Sequence, residues 1–396
     1  MMHPQKSFKN KQTAGVVTIR GWRASNTVMS LLVTNAGSQF ATEGRSEAAS
    51  QISFTIRPVT GETLADTCRR LAHRLQEHRL TPLHLLVFGQ VQAHRVTMDW
   101  LQKFLGPVNW PCTWVEGAAC NGSPLAGIQV HALAGAVERI EFNGRTVASV
   151  FTDGGARQCF VGGLTPADKT LSPAEQTRQT LEDLQTVLAQ AGFELADTVR
   201  TWFYLENILG WYDDFNKART KIYSPVKFRT GSLPASTGVG AKNPDGAALA
   251  LAVLAFKPLG ASARAEEVAS PLQCPAPAYG SAFSRAMELT SAGSQRLHIS
   301  GTASIAPGGK TLWCDDVKKQ VVLTMEVVEA MLRARGYTFA DITRATAYFR
   351  HATDAGVFAE WLAANRLSAM PVISAQCDVC RDDLLFELEA EAEMKG

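Results

Sequence analysis

The most informative segment of the chain is Gln176–Tyr204, QTRQTLEDLQTVLAQAGFELADTVRTWFY. The segment Gln320–Tyr348, 144 residues later, is QVVLTMEVVEAMLRARGYTFADITRATAY. Both share the pattern Q-x3-T-x-E, then a glycine, then A-D-x-x-R-x3-Y. Apolar residues recur between these positions at helical spacing, so each segment predicts a long helix that ends at glycine and is followed by a strand. The chain therefore contains an internal repeat.

The repeat continues on both sides of this segment. A glycine-bearing strand precedes each long helix, at Cys159–Thr165 and Leu297–Ser304. The earlier copy continues with a short helix at Trp211–Tyr223, Pro234 and a strand at Ala247–Phe256, and the later copy with Asp354–Arg366, Pro371 and Leu384–Met394. One unit is therefore predicted to be β-β-α-β-α-β-β.

A third, weaker copy precedes these two. It has a helix at Glu62–Leu80, a strand at His84–Gln92, a helix at Val96–Leu105, Pro111 and a strand at Gly127–Leu133. The ordinary alternation of helices and strands in α/β chains is the alternative explanation for this copy. We predict a tail and first-strand region at 1–27, a degenerate module at 28–134, a second module at 135–262, an Ala/Pro/Ser-rich linker at 263–281 and a third module at 282–396.

Composition limits the function. The chain is 46% hydrophobic, and 39 basic against 37 acidic residues leave a formal charge of +2. This near-neutral balance disfavours binding to the backbone of a nucleic acid. No apolar run is long enough to span a membrane, and the start of the chain has no secretory h-region. Eight scattered cysteines and eight scattered histidines predict a cytoplasmic protein with neither a disulfide framework nor a metal site.

With these features, residues 28–396 resemble the Rid superfamily, also called YjgF or endoribonuclease L-PSP. The resemblance implies an α+β fold of three chorismate-mutase-like modules, which form an intramolecular pseudo-trimer with clefts between modules. It also implies a chain that uses no cofactor and acts as a monomer or a weak homo-oligomer. We expect one cleft to be functional and to bind a small anionic metabolite, with neither nucleic acid nor membrane as a partner.

The end of the chain resembles the chorismatases, an offshoot of this superfamily that cleaves the enolpyruvyl ether of chorismate and releases pyruvate. The resemblance is carried by Cys377-Asp-Val-Cys380-Arg-Asp-Asp-Leu-Leu-Phe-Glu387-Leu-Glu389 and by Ser300-Gly-Thr-Ala-Ser-Ile305. It implies that Glu387 protonates the substrate. In members that make 3-hydroxybenzoate a cysteine seven residues earlier takes part, which is the place of Cys380. The segment Pro234-Ala-Ser-Thr237-Gly resembles the central region more loosely.

Simple Rid proteins, the imine and enamine deaminases, place an arginine two residues after the module's proline to hold a substrate carboxylate. The corresponding residues here are Thr113, Ser236 and Ile373. The carboxylate clamp is therefore missing from all three copies. A deaminase with a rebuilt clamp and a catalytically silent metabolite-binding protein are the alternatives to a chorismatase-like lyase or hydrolase.

The residues themselves suggest chemistry for such a site. Cleavage of an enol ether needs a proton donor, and a buried carboxylic acid such as Glu387 suits that role. Arg200 and Arg219 fit a dicarboxylate substrate, and Tyr204 and Tyr212 can donate hydrogen bonds to it.

Each of these roles has a structural alternative. Alternating glutamates along the last strand also fit a solvated strand face. Arg200 and Arg344, which occupy one repeat position, also fit structural salt bridges between modules. For Cys380 the alternative is a small buried residue, and for Arg219 a place on the protein surface.

Overall fold

The computed structural model describes residues 51–395. The predicted tail and first-strand region at 1–27 lies outside the described residues, as do positions 28–50 of the predicted first module. In the described part of the chain, no helix is long and apolar enough to cross a membrane.

Three groups of elements follow one another along the chain. The first contains β1 (Gln51–Ile56), α1 (Leu64–Glu77), β2 (Thr81–Gly89), α2 (His94–Leu105), β3 (Cys112–Val115), β4 (Ala118–Ala119) and β5 (Leu125–Leu133). The second contains β6 (Glu138–Phe142), β7 (Arg145–Asp153), β8 (Ala156–Leu164), α3 (Pro173–Gln190), β9 (Thr198–Leu205), α4 (Ile208–Tyr223), β10 (Ala235–Gly240) and β11 (Leu249–Pro258). The third contains β12 (Arg264–Val268), β13 (Ala286–Ser291), β14 (Ser294–Ala303), α5 (Val317–Ala334), β15 (Ile342–Phe349), α6 (Ala355–Ala364), β16 (Val372–Gln376) and β17 (Phe386–Lys395).

Each group forms one mixed sheet, except that β4 of the first group pairs with β16 at the edge of the third sheet. The strand orders are β1-β5-β2-β3, β10-β9-β11-β8-β7-β6 and β12-β13-β14-β17-β15-β16-β4. In every sheet a parallel pair is joined by the shorter helix, namely β2 and β3 by α2, β9 and β10 by α4, and β15 and β16 by α6. The α+β class and the three-module prediction are confirmed.

Two details differ from the predicted unit. Three strands, not two, precede the long helix in the second and third modules, because a further hairpin strand extends each sheet. The predicted linker at 263–281 is also not wholly irregular. Its first part forms β12, which pairs with β13 and so belongs to the third sheet.

The repeated glutamines have a structural reason. The side-chain amide of Gln176 donates to the carbonyls of Lys169 and Leu171 and accepts from the amide of Ala248. Gln320 is used in the same way, since it donates to Trp313 and accepts from Leu385. Each glutamine therefore ties the loop before its helix to the start of the last strand of its sheet.

The three sheets share a central core. Phe88, Tyr204 and Tyr348, from β2, β9 and β15, meet there with ring centroids 6.2 and 6.0 Å apart for the two pairs that include Phe88. Residues from all three modules contribute to the buried cluster around them. Because equivalent strands converge on one centre, the arrangement is the intramolecular pseudo-trimer that the repeat predicts.

Candidate active site

The last strand, β17, carries a row of buried glutamates. Phe386 and Leu388 pack into the core of the third module. Because successive side chains of a strand point to opposite faces of the sheet, Glu387 and Glu389 lie on the other face. Glu387 is 5% exposed and Glu389 is 1% exposed. The alternative of a solvated strand face is wrong, because these carboxyl groups lie between modules rather than in water.

The carboxylate of Glu389 is fixed by two arginines. Its Oε2 accepts from Arg200 at 2.7 Å and from Thr237 at 2.6 Å, and its Oε1 accepts from Arg344 at 2.9 Å. Arg200 also donates to the hydroxyl of Thr237 at 2.6 Å. Glu389 thus joins the second module to the third through a buried ion-pair network.

Glu387 has a different environment. Among residues 51–395 its carboxyl group has neither a hydrogen-bond nor an ion-pair partner, and it lies against Gly301, where a Cβ would be 2.0 Å from Glu387 Oε1. Burial, followed by the neighbouring charge of Glu389, raises the pKa of Glu387 to about 8. The group is therefore a protonated carboxylic acid at neutral pH.

Cys380 and Tyr212 lie beside this acid. Burial and the charge of Glu387 raise the pKa of the Cys380 thiol to about 12, so it is a neutral thiol at physiological pH. The pKa of the Tyr212 phenol is also raised, by burial first and then by Cys380. Tyr212 belongs to α4 of the second module, whereas Cys380 precedes β17 of the third. The site is therefore shared between two modules.

Arg219 lies on the same helix as Tyr212 and points inward. It is only 2% exposed, donates from Nη2 to the side chain of Asn216 at 2.7 Å, and packs 4.9 Å from the ring centroid of Phe215. Its buried Nε has no partner, and no carboxylate of the described residues pairs with it. A buried guanidinium without a counter-ion is costly for stability, which favours a role in binding an anion.

Arg285 is a second buried arginine, which the sequence alone did not identify. It is 3% exposed, and its guanidinium donates to the carbonyl of Cys274 at 2.9 and 3.1 Å and lies 5.3 Å from the ring centroid of Tyr279. Within the described range it forms no ion pair, and its charge acts on Glu387. A signal existed, because Ala286 and Ala148 occupy equivalent places in their strand pairs, and the residue before each is Arg285 in the third module and the buried Val147 in the second.

Three predicted binding residues are placed differently from expectation. Arg200 forms an ion pair with Glu389 of the third module. Its contacts therefore fit the predicted alternative, a structural salt bridge between modules, better than a role in binding substrate. Tyr204 lies in the central core and not beside Cys380. The hydroxyl of Thr237 is used by Arg200, by Glu389 and by the amide of Gly301, which donates to it at 3.0 Å.

The acid is present at one of the three equivalent positions. Glu387 is opposite Tyr348 in the third sheet, Ala250 is opposite Tyr204 in the second, and Gly127 is opposite Phe88 in the first. Of these three equivalent positions, that of the third module is therefore the one with an acidic side chain.

A cleft of about 630 Å³ lies at the side of Tyr212 and Cys380, which both line it, together with the start of α4 and the loop at 381–383. The helix α4 is kinked at Trp211 at this opening. No group of three or more His, Cys, Asp or Glu side chains within 51–395 is arranged to hold a metal ion.

The chain is similar to known proteins of one superfamily. The family model described as Endoribonuclease L-PSP matches residues 155–253. Two proteins of Streptomyces hygroscopicus align with about half of the chain. One, named 3-hydroxybenzoate synthase, is 24% identical over 54% of this chain and 68% of its own length, and the other, named chorismatase, is 29% identical over 48% of this chain and 60% of its own length.

The three-dimensional similarity extends further. A crystal structure of chorismatase superposes with a TM-score of 0.62 at 21% identity, covering 87% of this chain and 99% of that one. Residues 155–253 therefore match the Endoribonuclease L-PSP family, also called Rid or YjgF, and the chain has a chorismatase-like fold.

Proposed function

We propose that the protein cleaves the enol ether of chorismate, or of a similar small carboxylated enol ether, and releases pyruvate. The observation that carries this proposal is a buried, protonated Glu387 in the one cleft where the repeat provides an acid. The names of the relatives support the same chemistry.

The reaction follows from the acid. Glu387 donates its proton to the methylene carbon of the enol ether, and water adds to the adjacent carbon of the resulting oxocarbenium ion. The hemiketal collapses into pyruvate and an alcohol as the ether C–O bond breaks. The proton that the water loses returns to Glu387, so the reaction consumes one water and no net proton.

The substrate is held by two cations in this proposal. Arg219 of the second module and Arg285 of the third are buried without carboxylate partners of their own among the described residues. Substrate carboxylates would supply the missing counter-ions, and a planar guanidinium binds a carboxylate through two parallel hydrogen bonds. Arg285 takes the anchoring role that the sequence assigned to Arg200.

Cys380 is proposed to influence the product. It is a neutral thiol that lies with Tyr212 and Glu387 around the substrate position. One of the two relatives is named for a hydroxybenzoate, and the other is named chorismatase. Because the thiol is half-buried and protonated, we assign it a role as a neutral hydrogen-bonding and packing group rather than as a thiolate nucleophile.

The proposal is tested by incubating the purified chain with chorismate and measuring pyruvate through lactate dehydrogenase. Release of pyruvate with turnover supports it, whereas no pyruvate from chorismate at any pH between 5 and 9 contradicts it. Faster clearance of 2-aminoacrylate in a parallel assay would indicate the deaminase alternative. A raised melting temperature with chorismate, but no turnover, would indicate a silent binding protein.

A further inference from the structure

The two neighbouring glutamates of β17 have opposite surroundings. Glu389 accepts hydrogen bonds from Arg200, Thr237 and Arg344, at 2.6 to 2.9 Å, and forms ion pairs with both arginines. Glu387, two residues away on the same face, has no such partner in the described structure. One carboxyl group therefore pairs with two arginines, and the other is buried beside it without a hydrogen-bond or ion-pair partner among the described residues.

We propose that Glu389 is a positioning residue for the proposed reaction, and that its carboxylate, fixed by Arg200 and Arg344, keeps Glu387 protonated. The inference rests on the proposed function, because it explains how the acid of that reaction stays protonated at neutral pH. Two neighbouring carboxyl groups can have very different pKa values when their environments differ. One of them is then an acid and the other an anion at the same pH.

The charges that face Glu387 come from three elements. Glu389 on β17 is negative, and Arg200 on β9 and Arg285 before β13 are positive. Tyr212 from α4 and Cys380 from the preceding loop are neutral, since burial raises the pKa of both. Glu389 is therefore the charge that, with burial, favours the protonated form, and Arg200 opposes it.

The repeat shows that the fold does not require a carboxylate at this position. Strand register aligns Glu389 with Ala252 in the second module and with Gln129 in the first. Gln129 is also buried and donates to Ala345 and Thr346 of the third module. A neutral side chain thus satisfies the equivalent position, and the glutamate occurs in the module that also carries the acid.

The test measures the ionisation of Glu387 directly, without substrate. In infrared difference spectra across pH, the carbonyl band of a protonated carboxylic acid is assigned to Glu387 by its loss in Glu387→Gln. We expect the midpoint of that band near pH 8 in the native chain. In Glu389→Gln it should fall by about one pH unit or more, and in Arg200→Met it should rise.

Arg344→Met is the matched control. Arg344 is buried and bound to Glu389 as Arg200 is, but it lies toward Glu391, 3.8 Å away, on the other side of the carboxylate. Its loss should move the midpoint much less than the loss of Arg200. If Glu389→Gln does not fold, the double variant Arg200→Met/Glu389→Gln removes both charges of that ion pair, and its midpoint should lie below that of Arg200→Met.

An unchanged midpoint in Glu389→Gln, or a double variant whose midpoint equals that of Arg200→Met, would overturn the inference. A failure of the proposed function gives a different result. In that case the band titrates and shifts as described, but chorismate yields no pyruvate.

Discussion

At the scale of single residues, the proposed chemistry depends on the protonation of Glu387. Since burial and Glu389 raise its pKa to about 8, the acid form is present below that pH and is lost as pH rises through it. We therefore expect kcat/KM for pyruvate release to fall above about pH 8, because the free enzyme must carry the proton. A pH–rate profile measures this, and an activity that rises steadily up to pH 10 would contradict it.

The binding of the substrate depends on Arg219 in the same way. Replacement by lysine keeps the charge but removes the planar pair of donors, so Arg219→Lys should raise KM about 10- to 100-fold with a smaller change in kcat. Steady-state kinetics on chorismate give both constants. Lys221→Met, an exposed position on the same helix, is the control and should leave KM unchanged. If both variants raise KM equally, Arg219 is not the anchor.

At the scale of elements, the glycine of β14 makes room for the acid on β17. A Cβ at Gly301 would lie 2.0 Å from Glu387 Oε1. Gly301→Ala should therefore displace a flexible side chain rather than the backbone, and should reduce activity at least about 100-fold while the fold is kept. Circular dichroism and pyruvate release measure the two effects. Gly356→Ala, which meets nothing within 4 Å, is the control. Full activity in Gly301→Ala would show that Glu387 does not act from this position.

Sequence patterns predicted the elements better than the contacts between them. The strand that follows the long helix of the second module and the end of the next helix at Tyr223 were predicted correctly, because repeat and periodicity both report on local structure. That helix begins at Ile208, three residues before the predicted start at Trp211. The placing of Glu387 and Glu389 on one face also followed from the strand period. Arg200 was assigned to substrate because its partner Glu389, 189 positions away in the chain, is a tertiary contact that no local pattern reveals.

Other parts of the site were missed for similar reasons. Arg285 lies just after a predicted linker, and its signal, an arginine in place of a buried valine, becomes visible only when the strands of the two modules are aligned by register. Tyr204 was predicted to donate a hydrogen bond to the substrate, but it lies in the central core. That location depends on how the three modules pack, which local sequence does not reveal. The roles of Glu387, Cys380, Tyr212 and Arg219 stay proposals that the experiments above address.

At the scale of the whole molecule, buried charges link the modules. Glu391 of the third module lies 3.0 Å from His131 of the first and 3.6 Å from His298. Burial alone would raise the pKa of Glu391, but the neighbouring histidines and Arg344 hold it well below its usual range. Burial lowers the pKa of His298 to about 3.

Since all the clefts lie within one chain, we also expect a monomer of 42.8 kDa by light scattering.

These groups predict sensitivity to acid. Unfolded His298 binds a proton below about pH 6.5, whereas the folded state does not, so the stability present above that pH is lost as pH falls. The depressed pKa of Glu391 acts in the same direction below about pH 4.5. Glu387, whose pKa is raised to about 8, acts in the opposite direction between pH 7 and pH 5, so the test compares two proteins at each pH. The urea midpoint of His298→Gln, relative to that of the native chain, should rise as pH falls from 7 to 5. The relative midpoint of His73→Gln, a substitution at an exposed position, should stay constant. A relative midpoint of His298→Gln that does not change over this range would contradict the burial of a neutral His298.

The central claim is that Glu387 is the acid that cleaves an enol ether in the cleft between the second and third modules. The most direct measurement is the rate of pyruvate release from chorismate by the native chain and by Glu387→Gln, side by side at pH 7. We predict turnover by the native chain and a loss of at least about 100-fold in the folded variant. Equal rates in the two proteins would contradict the claim.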